Sequence, residues 1–249
     1  MDVKLGMHGL ADSLPEKGFQ PGTNVLVAGP PMTGKRTLAF DILANGVDRG
    51  GGSIVVSTED DATTVLEAID ESVDDLQTAP KSSGADAAVA EAATTATGSS
   101  GGRESTAGSR AGGPVGVVDC VTKQRGVGTV EDDPRVKYAS SPVDMTGIGI
   151  SLSAFLEEFY EGRGVTENRV LLHSVSTLLL YSNLQTVFRF LHVFTGRVQS
   201  ADATGIYVID STAHDGQTMN TLKQLFDAVI ELEDGEDGTP NITTAGFSS

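Results

Sequence analysis

The sequence predicts an α/β three-layer sandwich, a mostly parallel sheet flanked by helices. Three observations lead there. Short β-branched apolar runs recur along the chain, stretches with a 3.6-residue apolar period separate them, and a glycine-rich turn joins the first run to the first helix. Continuous apolar runs of this length suit strands covered on both faces, as in a parallel sheet. Strand–helix alternation with right-handed crossovers then places helices on both sides.

The first strand is expected at residues 24–28 (NVLVA), with a helix over 36–47 whose Leu38, Ile42 and Leu43 share a face. Residues 53–58 (SIVVST) give a second strand, and Val65, Leu66, Ile69 and Val73 mark a helix over 62–76. Further strands are expected at 115–121 (VGVVDCV), 169–175 (RVLLHSV), 205–209 (GIYVI) and 228–232 (AVIEL). Between them, Leu152, Phe155, Leu156, Phe159 and Tyr160 recur at helical spacing, and so do Leu184, Val187, Phe188 and Leu191. Met219, Leu222, Leu225 and Phe226 mark the last helix. No internal repeat occurs.

One stretch breaks the alternation. Of the 37 residues 77–113, Ala, Gly, Ser and Thr supply 28, and Leu, Ile, Phe and Tyr are absent. Such a segment cannot offset its ordering entropy by apolar burial, so a disordered surface insertion is expected there within one domain spanning 1–249. Loop closure costs only about 0.6 kcal/mol per doubling of length, so the fold tolerates it. Residues 234–249 are expected to be a flexible C-terminal tail.

The chain carries 34 acids against 17 bases, a net charge of −17. The insertion contributes nothing to it, since Asp86, Glu91 and Glu104 balance Lys81, Arg103 and Arg110. An acidic folded surface argues against generic affinity for nucleic acid or anionic membranes. It also suits a salt-adapted proteome, in which only 7 lysines is no surprise. High salt shrinks the electrostatic part of DNA binding, so charge alone does not exclude nucleic acid. Cys120 is the single cysteine, which excludes an internal disulfide and a cysteine-cluster metal site, and it is expected to be a small buried hydrophobe. The N-terminal residues lack the apolar stretch of a signal peptide, and the longest apolar run, around 170–181, is too short to span a bilayer. A cytoplasmic protein is the expectation.

The strongest chemical signal is residues 29–37, Gly-Pro-Pro-Met-Thr-Gly-Lys-Arg-Thr, directly after the first strand. It meets the phosphate-loop pattern G-x-x-x-x-G-K-[ST] up to Lys35. Glycines let backbone N–H groups curl round an anion, the helix start adds partial positive charge, and Lys35 reaches the β- and γ-phosphates. Gly29, Thr33, Gly34, Lys35, Arg36 and Thr37 are therefore the candidate nucleotide-binding residues. The departure comes next. Where Ser or Thr coordinates Mg²⁺, Arg36 stands, with no acceptor and a positive charge. Thr37 lies about 100° further round the helix and is not a replacement ligand, though it suits an α-phosphate contact. Arg36 has two readings: it points into solvent, or it partly replaces the charge of the metal.

Residues 14–23 (LPEKGFQPGT), the phosphate loop and residues 57–61 (STEDD) together resemble the RecA-like ATPases of the KaiC/RAD55 group, most of all their haloarchaeal members. The resemblance implies a RecA-like fold, bound ATP, and a water-activating base at Glu59 with Asp60 beside it. A carboxylate at a strand end beside the phosphates is where such a base belongs. Asp60 and Asp61 also suit the N-cap of the helix that follows. The resemblance further implies a strand ending in Asp–Ser that holds Mg²⁺ through its waters. Here the matching segment is Arg169-Val-Leu-Leu-His173-Ser174, and His173 occupies the Asp position. An imidazole cannot supply the anionic second shell that hydrated Mg²⁺ prefers. Both protein anchors for the metal are altered, so the expectation is ATP binding with weak or absent hydrolysis, without a protein-built Mg²⁺ site, in a regulatory or signalling protein.

Two alternatives stand beside it: a working ATPase, DNA-related in the manner of RAD55, and an interaction module with a relic loop. A homo-oligomer or a protein partner is possible on either. Asp210, at a strand end, reads as a cap or turn residue or as part of the cleft. Ser174, Ser176 and Thr177 read as helix or loop hydroxyls. His173, His214 and Asp215 match no metal-ligand spacing, and no nucleophile elbow occurs.

Overall fold

The computed structural model describes residues 19–78, 112–126, 132–235 and 240–246. The first half runs β1 (Asn24–Gly29), α1 (Lys35–Asp48), β2 (Gly52–Ser57), α2 (Ala62–Thr78), β3 (Val115–Asp119), α3 (Thr122–Arg125), β4 (Val136–Tyr138) and α4 (Met145–Glu157). The second half runs β5 (Asn168–His173), α5 (Val175–Tyr181), α6 (Leu184–Ser200), β6 (Thr204–Asp210), α7 (Gly216–Lys223), β7 (Ala228–Glu233) and β8 (Asn241–Ala245).

The eight strands form one sheet in the order β4-β3-β2-β5-β6-β1-β7-β8. Every neighbouring pair is parallel except β7 and β8. The six predicted strands are all present, and β1, β2, β5 and β6 are buried on both faces as continuous Val/Ile/Leu runs require, while one face of β7 is only half-buried. Alternate residues feed two cores. Val25, Val27 and Val55 meet Leu38, Ile42 and Leu43 of α1 and Val65 and Ile69 of α2 on one face. Leu26, Ile54, Val170 and Leu172 meet Leu152 and Phe155 of α4, Leu178 of α5, Leu191 and Phe194 of α6 and Leu222 of α7 on the other. The three-layer sandwich is the fold observed.

Parallel pairing brings the carboxyl ends of the strands to one edge. Register sets Ser57 opposite both Asp119 and His173, and Gly29 opposite Asp210. Open α/β sheets bind ligands at this edge.

The structure corrects several boundaries. Strand β3 stops at Asp119, not residue 121, because Asp119 turns the chain into α3 through its side-chain bonds to Val121 and Thr122. Strand β5 stops at His173, since Ser174 caps α5 by accepting from the Thr177 N–H. Tyr160 is 63% exposed although it fits the helical stripe. A π-helical turn over Glu158–Gly162 adds a residue to the repeat and rotates Tyr160 outward while Phe159 stays buried. Leu225 and Phe226 follow α7 instead of lying in it, yet both pack on the core. Part of the expected tail 234–249 is strand β8, whose residues pair with β7. Of the expected insertion 77–113, Gln77 and Thr78 complete α2, and 79–111 lies outside the described residues. Cys120 is fully buried, as expected of a small hydrophobe, although it lies just past the end of β3. No helix among the described residues is long and apolar enough to cross a membrane.

Candidate functional site

The turn from β1 into α1 is built on two glycines. A Cβ on Gly29 would lie 2.7 Å from the Leu232 carbonyl oxygen and 2.8 Å from Thr33 Oγ1, so only glycine fits between β7 and the loop. Gly34 has φ 82°, the left-handed conformation that glycine adopts freely. Thr33 is buried and its hydroxyl donates to the Pro30 carbonyl at 2.9 Å, bracing the loop across its base. Met32, at the tip, is fully exposed. Helix α1 has no side-chain cap and no acid in its first turn, which leaves its positive end available to an anion. Thr37 is exposed on that same turn.

Lys35 folds back over the loop, and its Nζ donates to the Pro30 carbonyl at 2.6 Å. Partial burial lowers its pKa, while the nearby charges of Asp210 and Glu59 hold it up. Two strand ends therefore present carboxylates toward this ammonium. Asp210 accepts from the N–H and the hydroxyl of Thr212 at 2.9 and 2.8 Å, a turn role and a cleft-facing position at once. Its own N–H donates to Ser176 Oγ, which also meets His214 Nε2 at 2.9 Å. Asp215 caps α7 through the Thr218 N–H at 2.7 Å, apart from His173 in role.

Glu59 lies just beyond β2, whose end is fastened to β5. The Thr58 N–H donates to the His173 carbonyl at 2.7 Å, and Thr58 Oγ1 accepts from the Ser174 N–H at 2.7 Å. The His173–Ser174 peptide bond is cis. From that base Glu59 Oε1 accepts from Ser174 Oγ at 2.6 Å and Thr177 Oγ1 at 2.7 Å. Partial burial works against its charge, but these two bonds, with His173 and Lys35 nearby, outweigh it and hold its pKa below the usual value. Glu59 is an ionised carboxylate at neutral pH.

His173 Nε2 stands 3.7 Å from Glu59 Oε2, beyond hydrogen-bond reach. Burial lowers its pKa, Glu59 opposing, so the ring is neutral at pH 7. It meets the edge of Phe40, with centroids 6.5 Å apart.

Arg36 adopts neither of the simple orientations its sequence position suggests. Its Nη2 donates to Asp60 Oδ2 at 2.8 Å, and its guanidinium lies over the Phe40 ring, 4.9 Å from the centroid. The ion pair is partly exposed, with 43% and 30% of the two side chains accessible, so it is worth about 1 kcal/mol or less. Among the described residues, the enclosed Arg36 Nε has no hydrogen-bond partner. Asp61, not Asp60, caps α2, accepting from the Thr64 N–H at 2.9 Å.

Sequence reasoning passed over Asp119. It is fully buried at the end of β3 and accepts from the Ala62 N–H, the Val121 N–H, and both the N–H and hydroxyl of Thr122. It thereby anchors the start of α2 three residues after Glu59. The polar end of a strand otherwise made of three valines and a glycine is the available signal. In sequence Ser174 and Thr177 read as helix or loop hydroxyls, and their convergence on Glu59 depends on the β2–β5 pairing.

A hydrated Mg²⁺ needs an oxygen ligand from the loop and an anion at the neighbouring strand end. The two positions hold a guanidinium engaged with Asp60 and a neutral imidazole beside Glu59. The donor chemistry does not fit the ion.

A model for a family of unknown function, DUF7504, matches residues 81–232, more than half of the chain. The chain belongs to DUF7504. The KaiC ATPase model matches residues 3–106 of this DUF7504 protein, the stretch that carries the loop, Lys35 and Glu59. No curated protein matches it in sequence. Among solved structures it is similar to a KaiC-like protein from the hyperthermophilic archaeon Pyrococcus horikoshii OT3. The identity is 14% and the TM-score 0.55, covering 98% of this chain and 86% of that one. It is also similar to an uncharacterized Pyrococcus horikoshii protein in complex with an unknown peptide. There the identity is 12% and the TM-score 0.58, covering 95% of this chain and 86% of that one. Both likenesses concern the fold. This DUF7504 chain has a RecA-like core of the KaiC type.

Proposed function

We propose that this protein binds ATP at the β1–α1 loop, hydrolyses it weakly or not at all, and acts as a regulatory or signalling component. Gly29, Thr33, Gly34 and Lys35 form the phosphate cradle, with Arg36 and Thr37 on the first turn of α1. The observation that carries the reading is the contrast within one site. The phosphate-binding parts are complete, while both places that should anchor a metal hold basic side chains, Arg36 and His173. Phosphoryl transfer relies on positioning and charge neutralisation, and a site that binds phosphates without organising the metal loses most of its rate. Such a site suits a protein whose partner, a second copy or another protein, reads the bound nucleotide.

Glu59 favours a second reading, a working ATPase. It is a charged carboxylate at a strand end, near Lys35, where a base would orient the attacking water.

Nucleotide titration of the purified full chain, with and without Mg²⁺, separates them. Binding that Lys35→Ala abolishes, with turnover near background, is the expected result. Tight Mg²⁺-dependent binding with steady turnover supports the second reading instead. If millimolar ATP, ADP and GTP all fail to bind, the loop is a relic in an interaction module.

A further inference from the structure

We propose that the site takes its nucleoside triphosphate free of Mg²⁺, with Arg36 leaving Asp60 to supply the counter-charge. The proposal rests on the nucleotide-binding reading and adds the ionic form of the ligand to it. The poor fit of the metal is its starting point. Arg36 follows Lys35 on the first turn of α1, so the residue that would hold the metal is itself a cation beside the phosphate cradle. A dication entering there meets a guanidinium of like charge.

Three features make Arg36 available. Its pair with Asp60 is partly exposed, so water can take over the freed carboxylate. Among the described residues it makes a single hydrogen bond out of five N–H donors, and its enclosed Nε has no partner at all. A buried donor without an acceptor is an unmet demand, and phosphate oxygens are the acceptors this loop is built to receive. The guanidinium otherwise rests over the Phe40 ring, a contact too weak at a partly exposed site to lock it in place when the bond to Asp60 breaks. With Lys35 and the helix end, two full cationic charges and a partial one then face the polyphosphate.

The test is calorimetric titration of ATP into the full chain at constant ionic strength, once with EDTA and once with millimolar Mg²⁺. Wild type, Arg36→Gln and Arg36→Lys are compared, and thermal melts monitor folding. The expected result is a wild-type affinity in EDTA within about threefold of that in Mg²⁺, or tighter. Arg36→Gln then loses roughly 10- to 100-fold in EDTA, the worth of one charge-assisted contact, while Arg36→Lys keeps most of the affinity. Binding that requires Mg²⁺, or Arg36→Gln binding as well as wild type in EDTA, overturns the proposal and leaves nucleotide binding standing. Should neither condition give binding, the nucleotide reading falls and takes this one with it. The wild-type comparison decides even if Arg36→Gln fails to fold.

Discussion

Glu59 Oε2 and His173 Nε2 face each other at 3.7 Å, an anion opposite a neutral base on two adjacent strand ends. The pairing follows from register: Ser57 lies opposite His173, and the chain curls back two residues later to set Glu59 above it. Arg36 and Asp60 make a second acid–base couple next door, and Phe40 touches both bases. Each carboxylate that a metal site would use is matched to a base.

Removing both bases should expose that design. The double variant Arg36→Thr, His173→Asp leaves Glu59, Asp60 and an added carboxylate converging without a counter-charge, and it restores a hydroxyl beside Lys35. Like charges in close quarters repel unless a cation enters. The variant should melt lower than wild type in EDTA, by about 2 kcal/mol or roughly 4–8 °C. Millimolar Mg²⁺ should recover most of that loss, and Mg²⁺-dependent ATP turnover should appear. Equal melting temperatures with and without Mg²⁺ would count against the account.

Gly29→Ala tests the loop from below. The added methyl would sit 2.7 Å from the Leu232 carbonyl oxygen and 2.8 Å from Thr33 Oγ1, and the first of these belongs to β7 and cannot rotate away. Displacing a core strand or the loop should cost about 2–3 kcal/mol. Melting should fall by roughly 5–10 °C, with a parallel loss of nucleotide affinity. An unchanged melting curve would show that β7 yields more easily than the packing implies.

How far the sequence carried the reading depends on the range of the forces involved. The six strands were legible because continuous Val/Ile runs such as 24–28 and 53–58 have few other uses. The loop was legible because its glycines and Lys35 follow one another in the chain. Strand β8 was not: its buried neighbour Leu232 belongs to β7, while its own Asn–Ile–Thr–Thr–Ala pattern looks like any polar tail. Short β4 owes its existence to pairing with β3. Within the site, Arg36 shows the same limit. Its bond to Asp60 joins residues 24 apart that only the β1–α1–β2 crossover brings together.

Asp119 should be a large single-residue determinant of stability. It is fully buried and satisfies three backbone N–H groups and one hydroxyl at the starts of α2 and α3. Asp119→Ala strands those donors in a dry interior, which should cost about 3–5 kcal/mol. Asp119→Asn puts an amide N–H against a backbone N–H and should recover only part of it. Chemical denaturation of the three proteins checks the order wild type, Asn, Ala. A loss near zero for Ala would mean that water fills the place of the carboxylate.

Asp41 should make stability fall as pH rises through the mildly acidic range. It sits on α1 facing α2, where burial, with Asp75 adding, raises its pKa from 3.8 to about 6 despite a hydrogen bond from Ser72. The folded protein thus holds this proton more tightly than the unfolded chain. Its contribution is full below pH 3.8 and is lost as pH climbs through about 6. The whole shift would correspond to about 3 kcal/mol, but water still reaches much of the side chain, and screening leaves about 1 kcal/mol. His173 and Glu59, with pKa values below their usual ones, act in the opposite sense and lose their contributions on acidification. Absolute stability profiles therefore mix the two, and the difference between Asp41→Asn and wild type isolates the first. That difference should be near zero at pH 4 and grow to a gain of roughly 2–4 °C for the variant above pH 7. A pH-independent difference would place the effect of the substitution in packing, not in ionisation.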